Sequence, residues 1–229
     1  MNSKDQHRQS QAEYGDVGSK ALREQGLVSM HARRFLDIVA ASCAIFLNFP
    51  LFLIVALLIK LESPGPILYK VRRIGKNGEI IYLHKFRTMR SDHSGLLGNV
   101  AQSIREDPRV TRVGAILRRT SIDELPQLVN VLLGDITLVG PKPLPLPDAE
   151  FFQSKALESD SRVTLWWNAR SLVEPGMVTP TGILARNASV TPDGLLAVEL
   201  EYLQTRSLFG DLKLLFLGIL SGFKSRGAY

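Results

Sequence analysis

From Ile38 to Ile59 the chain reads IVAASCAIFLNFPLFLIVALLI, apolar on every side of a helix and without a charged residue. A straight helix of that length extends about 33 Å, enough to cross the hydrocarbon core of a bilayer. The competing reading is a buried helix of a soluble domain, although runs this long and apolar all round are rare in such folds. Asn48-Phe49-Pro50 interrupts the middle of the run. Pro50 has no backbone N–H and its ring clashes with the carbonyl four residues earlier, so a kink is expected there. The amide of Asn48 is costly in hydrocarbon unless it bonds to the opened backbone.

Charge sharpens the picture. Arg33 and Arg34 precede the run, and Lys60, Lys70, Arg72 and Arg73 follow it. Basic residues at both ends favour the cytosolic side for both. A straight crossing cannot satisfy that, whereas a helix broken at Asn48 and Pro50 that enters and leaves on one face does. The re-entrant form is therefore favoured over a full span.

Downstream, the turn cluster Ser63-Pro64-Gly65-Pro66 ends the helix. The segments Ile67–Arg73 and Glu79–Arg87 read as short strands joined through Gly75-Lys76-Asn77-Gly78, a hairpin. Asp92 to Asp107 is polar and irregular and reads as a loop. Thr111–Arg119 and Asp123–Leu133 read as helices, and Val139–Pro143 and Glu174–Gly182 as loops. A turn at Thr191–Gly194 leads into a helix from Leu195 to Thr205. The final helix, Leu208 to Phe223, spaces Leu208, Leu212, Leu215, Phe216, Ile219, Leu220 and Phe223 helically, with Lys213, Lys224 and Arg226 nearby. It suits a membrane surface and, equally, packing on the domain core. Residues 1–30 are polar, of mixed charge and aperiodic, a disordered tail with no apolar signal core.

Bulk composition narrows the partners. The 229 residues carry a formal charge of +6, so an anionic partner is expected, whether nucleic acid, lipid headgroup or phosphorylated metabolite. The single cysteine, Cys43, permits no internal disulfide, and no CxxC or HxxxH spacing suggests zinc. There is no GxxxxGK[ST] and no GxGxxG following a strand, which removes a P-loop and a Rossmann site. Basic residues interleaved with aromatics are lacking apart from Trp166-Trp167, so nucleic acid is not a predicted partner.

The chemistry concentrates at "SIDELP", Ser121 to Pro126. Ser121 and Glu124 fit a capping box, Asp123 suits the positive end of a helix dipole, and Pro126 suits a first turn. The other reading is catalytic. Arg112, Arg118 and Arg119 lie on one side, and Lys85, Arg87 and Lys142 come from neighbouring segments. Guanidinium groups grip phosphate oxygens bidentately and lysine acts as a point charge. A carboxylate in such a pocket stays ionised, able to attack phosphorus or hold Mg²⁺. Of two adjacent carboxylates, one can serve as nucleophile and the other as base or metal ligand.

In order, the segments "RRFLDIVAA", "SPGPILYKVRRIGKNGEIIYLHKFRTM", "TRVGAILRRTSIDELPQLVNVLLGDITLVGPKP", "EPGM" and "EYLQTRSLFGDLKLL" resemble the bacterial sugar transferases, the monotopic phosphoglycosyl transferases. The likeness runs from about Arg33 to Leu217. It implies an α/β protein, mostly helical with a small β hairpin. In it a re-entrant, proline-broken membrane helix (31–61) docks on a cytosolic catalytic domain (62–229) with interfacial amphipathic helices. It further implies transfer of a sugar-1-phosphate from a UDP-sugar to a polyprenol phosphate, usually undecaprenyl phosphate, at the bacterial inner membrane, starting a surface glycan. By family position Asp123 attacks the β-phosphate and releases UMP, Glu124 is its partner acid, and both carboxylates serve Mg²⁺. Lys85, Arg87, Arg118 and Lys142 match the phosphate binders, with Arg112, Arg119 and Glu199 as further candidates. Arg34 and Asp37 look structural or lipid-facing.

The chain departs from the pattern in three places. Lys142 stands where the family usually has arginine, losing the bidentate fork. Pro175–Leu184 reads PGMVTPTGIL where PGITGLAQV is typical, and Glu199 replaces an aspartate. These changes motivate an alternative, a non-catalytic membrane protein of the same fold that binds nucleotide sugar or polyprenyl phosphate. A multi-pass hexosamine-phosphate transferase needs many spans, and this sequence has one strong apolar run. The re-entrant reading predicts that topology reporters fused before Arg33 and at the C-terminus both report the cytosol; a periplasmic signal from the first alone contradicts it.

Overall fold

The computed structural model of the chain describes residues 27–90, 107–157, 161–185 and 192–224. The expected tail up to residue 26 and most of the expected loop at Asp92–Asp107 lie outside them.

The apolar run forms α1, Leu27–Glu62, with Pro50 inside. The helix begins a turn before the 31–61 segment expected and continues through the proline. Pro50 leaves the Phe46 carbonyl without its usual donor. The Asn48 amide goes instead to the Ala44 carbonyl, 2.8 Å away, and is satisfied within its own helix. One stripe of α1 is buried, through Arg33, Asp37, Ala41, Val55 and Ile59. The rest is open, with Phe46 80% and Leu47 75% exposed and Leu53, Ile54, Leu57 and Leu58 beside them. By length and composition α1 is able to cross a bilayer.

The hairpin follows as read. β1 (Leu68–Ile74) pairs antiparallel with β2 (Ile80–Phe86), with Tyr69 opposite Lys85. Asn77 and Gly78 both take positive φ in the turn, 55° and 78°, where asparagine and glycine are least strained. After β2 come α2 (Arg112–Thr120), a 3₁₀ turn at Ile122–Glu124 and α3 (Gln127–Leu133).

Here the structure corrects the capping-box reading. Ser121 closes α2 in the left-handed conformation, φ 57°, and its side chain caps nothing in the following turn. Asp123 and Glu124 lie in the 3₁₀ turn, and α3 starts after Pro126. A serine committed to ending one helix is not in the extended geometry that a capping box requires.

A second sheet, absent from the sequence reading, joins β3 (Thr137–Val139) in parallel to β4 (Gly176–Val178). Gly140 and Gly176 make it possible: a Cβ on Gly176 would collide with the backbone nitrogen of Gly140. Two helices without a sequence-based expectation, α4 (Leu146–Leu157) and α5 (Ser161–Ser171), lie between these strands. The segment read as a loop at Glu174–Gly182 holds β4 and the start of α6 (Pro180–Ala185). α7 (Pro192–Thr205) begins at the expected turn, and α8 (Leu208–Lys224) closes the described chain.

The main core gathers Ala41, Leu83, Leu128, Val131, Ile136, Leu138, Trp166 and Leu203. A smaller cluster of Val55, Ile59, Phe86 and Leu117 packs α1 on β2 and α2. Phe52 touches both clusters and meets Phe86 edge-on at 5.7 Å. α8 packs on the domain core along one side and is open on the other. Leu214 and Leu215 pack on the core, while Phe209, Phe216 and Ile219 stand exposed.

The beginning of α1 is staked by polar side chains. Arg33 Nε donates to Asp211 of α8 at 2.9 Å, and Arg34 donates to the carbonyls of Val131 and Leu132 that end α3. Asp37 accepts from the Thr137 hydroxyl at 2.7 Å and from the Leu138 N–H at 3.0 Å, fixing β3. Arg34 and Asp37 are therefore structural. Asp37→Ala orphans both buried donors and is expected to lower stability by about 1–3 kcal/mol in denaturant unfolding of the detergent-solubilised protein. Unchanged stability contradicts that role.

Candidate active site

Three elements bring the reactive groups together. β2 supplies Lys85 near its end, β1 supplies Tyr69 opposite it, and the 3₁₀ turn supplies Asp123 and Glu124. Lys85 Nζ lies 2.7 Å from Glu124 Oε1 and 3.9 Å from Asp123 Oδ2. Asp123 is 6% exposed, whereas the side chain of Glu124 is partly open. One cation thus binds the open carboxylate closely and the buried one loosely, leaving Asp123 the less neutralised of the two.

The electrostatics follow from burial. Loss of hydration pushes the Asp123 carboxyl up to about 6; the Lys85 and Arg118 cations oppose that rise and the Glu124 carboxylate adds to it. Burial alone would lower Lys85, but the two carboxylates more than offset it, so its ammonium is held above the ordinary range. Burial raises the Tyr69 hydroxyl, with Lys85 opposing and Asp123 adding to the rise.

The other expected site residues divide. Arg118 joins the dyad: its Nε donates to the Thr88 hydroxyl at 2.9 Å, and its charge is felt by Asp123. Arg119 is exposed beside it at the end of α2, and Arg112 is exposed at the start, about 10 Å away along the axis. Arg87 is turned elsewhere. Its buried Nη2 donates to the Ser63 carbonyl at 2.6 Å and the Ser63 hydroxyl at 2.9 Å, at the end of α1. Arg87 Nε and Nη1 are buried without a partner among the described residues.

Glu199 is likewise turned toward protein partners. It is 3% exposed, accepts from Lys142 N at 2.6 Å and Trp166 Nε1 at 2.8 Å, and pairs with Arg170 at 3.3 Å. Arg170 in turn donates to the Lys142 carbonyl at 2.6 Å. Glu199 and Arg170 thereby hold the N–H and the carbonyl of Lys142 and leave the lysine side chain exposed. An ionised carboxylate is acceptor-only, and one accepting from three donors is placed to hold a loop.

Sequence reading missed Tyr69, Arg73, Thr88 and Arg170. Tyr69 and Arg73 share one face of β1, and Arg73 is close enough to Tyr69 and Glu124 for their charges to act on it. The hairpin register gave the available signal, since whatever stands opposite Lys85 must lie near its partners.

Residues 28–225 match the family model described as bacterial sugar transferase. The chain belongs to the bacterial sugar transferase family. Within it, the chain is 54% identical over 110 residues to the exopolysaccharide production protein PSS of Rhizobium leguminosarum bv. phaseoli, covering 48% of this chain and 54% of that one. It is 40% identical to the UDP-glucose:undecaprenyl-phosphate glucose-1-phosphate transferase of Caulobacter vibrioides over 86% of this chain and 72% of the relative. It is 36% identical to the UDP-N-acetylgalactosamine-undecaprenyl-phosphate N-acetylgalactosaminephosphotransferase of Aeromonas hydrophila, covering 85% of this chain and 45% of that protein. The match thus spans about half the length of the first and third of these relatives.

For this bacterial sugar transferase, the buried Asp123 carries a stability signature. Its folded pKa of about 6 lies above the ordinary value of 3.8, so the fold binds the extra proton and stability falls as pH rises through that window. Asp123→Asn removes the penalty. The variant is expected to melt higher than wild type at pH 7, by about 2–6 °C, with the difference fading below pH 4. An equal or lower melting point at pH 7 contradicts the burial account.

Proposed function

We propose that this protein transfers a sugar-1-phosphate from a UDP-sugar to undecaprenyl phosphate, or a similar polyprenol phosphate, and so starts a surface glycan. The observation that carries the proposal is the buried Asp123 carboxylate held loosely by Lys85 beside an open Glu124. The family match and the activities for which two relatives are named supply the substrate class.

In this reading ionised Asp123 attacks the β-phosphorus of the UDP-sugar. An Asp123 Oδ–P bond forms, the P–O bond to the α-phosphate breaks, and UMP leaves with the bridging oxygen and its electron pair. The polyprenol phosphate oxygen then attacks the same phosphorus, releasing Asp123 and giving the lipid diphosphate sugar. Splitting the transfer in two lets one carboxylate serve both acceptor and leaving-group roles. Lys85 and Arg118 offset charge on the equatorial oxygens, and the exposed Lys142 is available to the diphosphate. Lys85 keeps Asp123 ionised at neutral pH; Glu124 holds Lys85 in place.

Adjacent carboxylates are the hard oxygen donors that Mg²⁺ takes, commonly one or two alongside substrate phosphates. Asp123 and Glu124 fit that role, although no group of three or more candidate ligands occurs among the described residues. When bound, Mg²⁺ would neutralise diphosphate charge.

The membrane reading rests on α1. Arg33 near its start and Glu62 at its end both bond into one domain, and the side chains between them are largely apolar and exposed. A helix anchored at both ends on the same domain suits re-entry on one face of the inner membrane, the domain facing the cytosol. The exposed side of α8 supplies a second apolar contact at the headgroups.

Purified protein with undecaprenyl phosphate, Mg²⁺ and a panel of UDP-sugars is expected to release UMP. Asp123→Asn should release it at least about 10³-fold more slowly, and wild-type kcat/KM should rise with pH and level above about 6. UMP release at equal rates from both proteins removes Asp123 as the nucleophile. No UMP from any donor favours the non-catalytic binder.

A further inference from the structure

The last turn of α1, Ile59 to Ser63, is gripped from two directions. From β2, Arg87 Nη2 donates to the Ser63 carbonyl and hydroxyl and, at 3.4 Å, to the Ile59 carbonyl. From α1 itself, Glu62 reaches the start of α2. Its Oε1 accepts from Arg112 N at 2.7 Å and its Oε2 from Val113 N at 2.9 Å. Thr111 Oγ1 accepts from Gly114 N at 2.9 Å. The first three N–H groups of α2 therefore all have acceptors, and two of these come from another helix. Such groups are ordinarily left to a local cap or to water. A carboxylate there also complements the positive end of the helix.

Each clamp leads by a short, stiff path to one half of the active site. Arg87 is two residues past Lys85 on the same strand exit. Beyond Glu62, α2 is a single nine-residue helix whose cap, Ser121, passes directly into the 3₁₀ turn of Asp123. α2 also cannot slide against the β2 exit. Thr111 N donates to the Thr88 carbonyl at 3.0 Å, and Gly114 lies so close to that carbonyl that a Cβ would collide with it. Movement of the end of α1 is thus passed along α2 as a rigid body.

We propose that Glu62 is a positioning residue: by capping α2 from the last turn of the apolar helix, it sets where Asp123 stands relative to Lys85. With Arg87 holding the Lys85 strand to the same turn, the seating of α1 in its surroundings and the geometry of the dyad become one coupled variable. The catalytic consequence rests on Asp123 being the nucleophile; the mechanical one does not. A displacement of about 1 Å at a reacting group can cost on the order of 10²-fold in rate.

The test compares wild type, Glu62→Ala and Glu62→Gln as full-length protein in lipid nanodiscs, with two readouts. Amide exchange in Glu62→Ala is expected to quicken about tenfold or more at Arg112–Gly114 and also through Arg118–Leu125, while the hairpin β1–β2 keeps its protection. UMP release per folded protein is expected to lose about tenfold or more in kcat, with KM for the UDP-sugar within about twofold. Glu62→Gln keeps one acceptor oxygen and should recover part of both. If the alanine variant does not fold, the glutamine variant carries both readouts. Faster exchange confined to Arg112–Gly114 with wild-type kcat overturns the proposal. So does loss of protection across the whole fold, hairpin included, in Glu62→Gln, which is the mark of a general stabilising contact. If wild type itself releases no UMP, the proposed reaction fails, and the reach of the exchange change still decides whether Glu62 positions Asp123.

Discussion

A carboxylate withdrawn from water resists ionisation, and at Asp123 a single ammonium sets how far that resistance goes. Lys85 stands 3.9 Å away, too far for a tight ion pair, and spends its short contact on Glu124. Full pairing would weaken the carboxylate's nucleophilicity, and no pairing would leave it protonated at neutral pH. The intermediate distance depends on backbone that is fixed on both sides: strand β2 carries the lysine and the 3₁₀ turn after α2 carries the aspartate. The hairpin, the two-sided clamp at Ile59–Ser63 and the smaller core of Val55, Ile59, Phe86 and Leu117 all act on that one separation.

The same architecture explains why a long apolar helix belongs to an otherwise polar site. α1 is held at its start by Arg33, Arg34 and Asp37 and at its end by Glu62 and Ser63, while most of its apolar surface between has no protein partner. Buried polar anchors of this kind cost desolvation, and their return is a unique placement. The Glu199–Arg170 pair does the equivalent for the Lys142 loop, holding its N–H and its carbonyl through buried side chains.

What was legible in the sequence was local. The apolar run, the hairpin with its Asn77-Gly78 turn and the helices flanking "SIDELP" each declare themselves within a few residues, by period or by turn chemistry. The dyad and Lys85 were legible because charge clusters there. The parallel pair β3–β4 was not, since three-residue strands have no readable period and their partners lie far apart in sequence. The capping box misled because Ser121 was already committed to closing α2. Glu199 and Arg87 were given phosphate roles from charge and family position alone. Their partners, the Lys142 peptide and the end of α1, are long-range and leave no local mark. Tyr69 and Arg73 occupy the middle case, recoverable once the hairpin register is known.

The central claim, that Asp123 becomes covalently attached to the phosphosugar, is tested most directly by intact-mass analysis of the protein given a UDP-sugar and Mg²⁺ with the lipid acceptor withheld. The account predicts an added mass of one phosphosugar on wild type, mapped to Asp123, absent from Asp123→Asn and discharged when undecaprenyl phosphate is supplied. A wild-type protein that turns over donor and acceptor together yet never carries the adduct contradicts it.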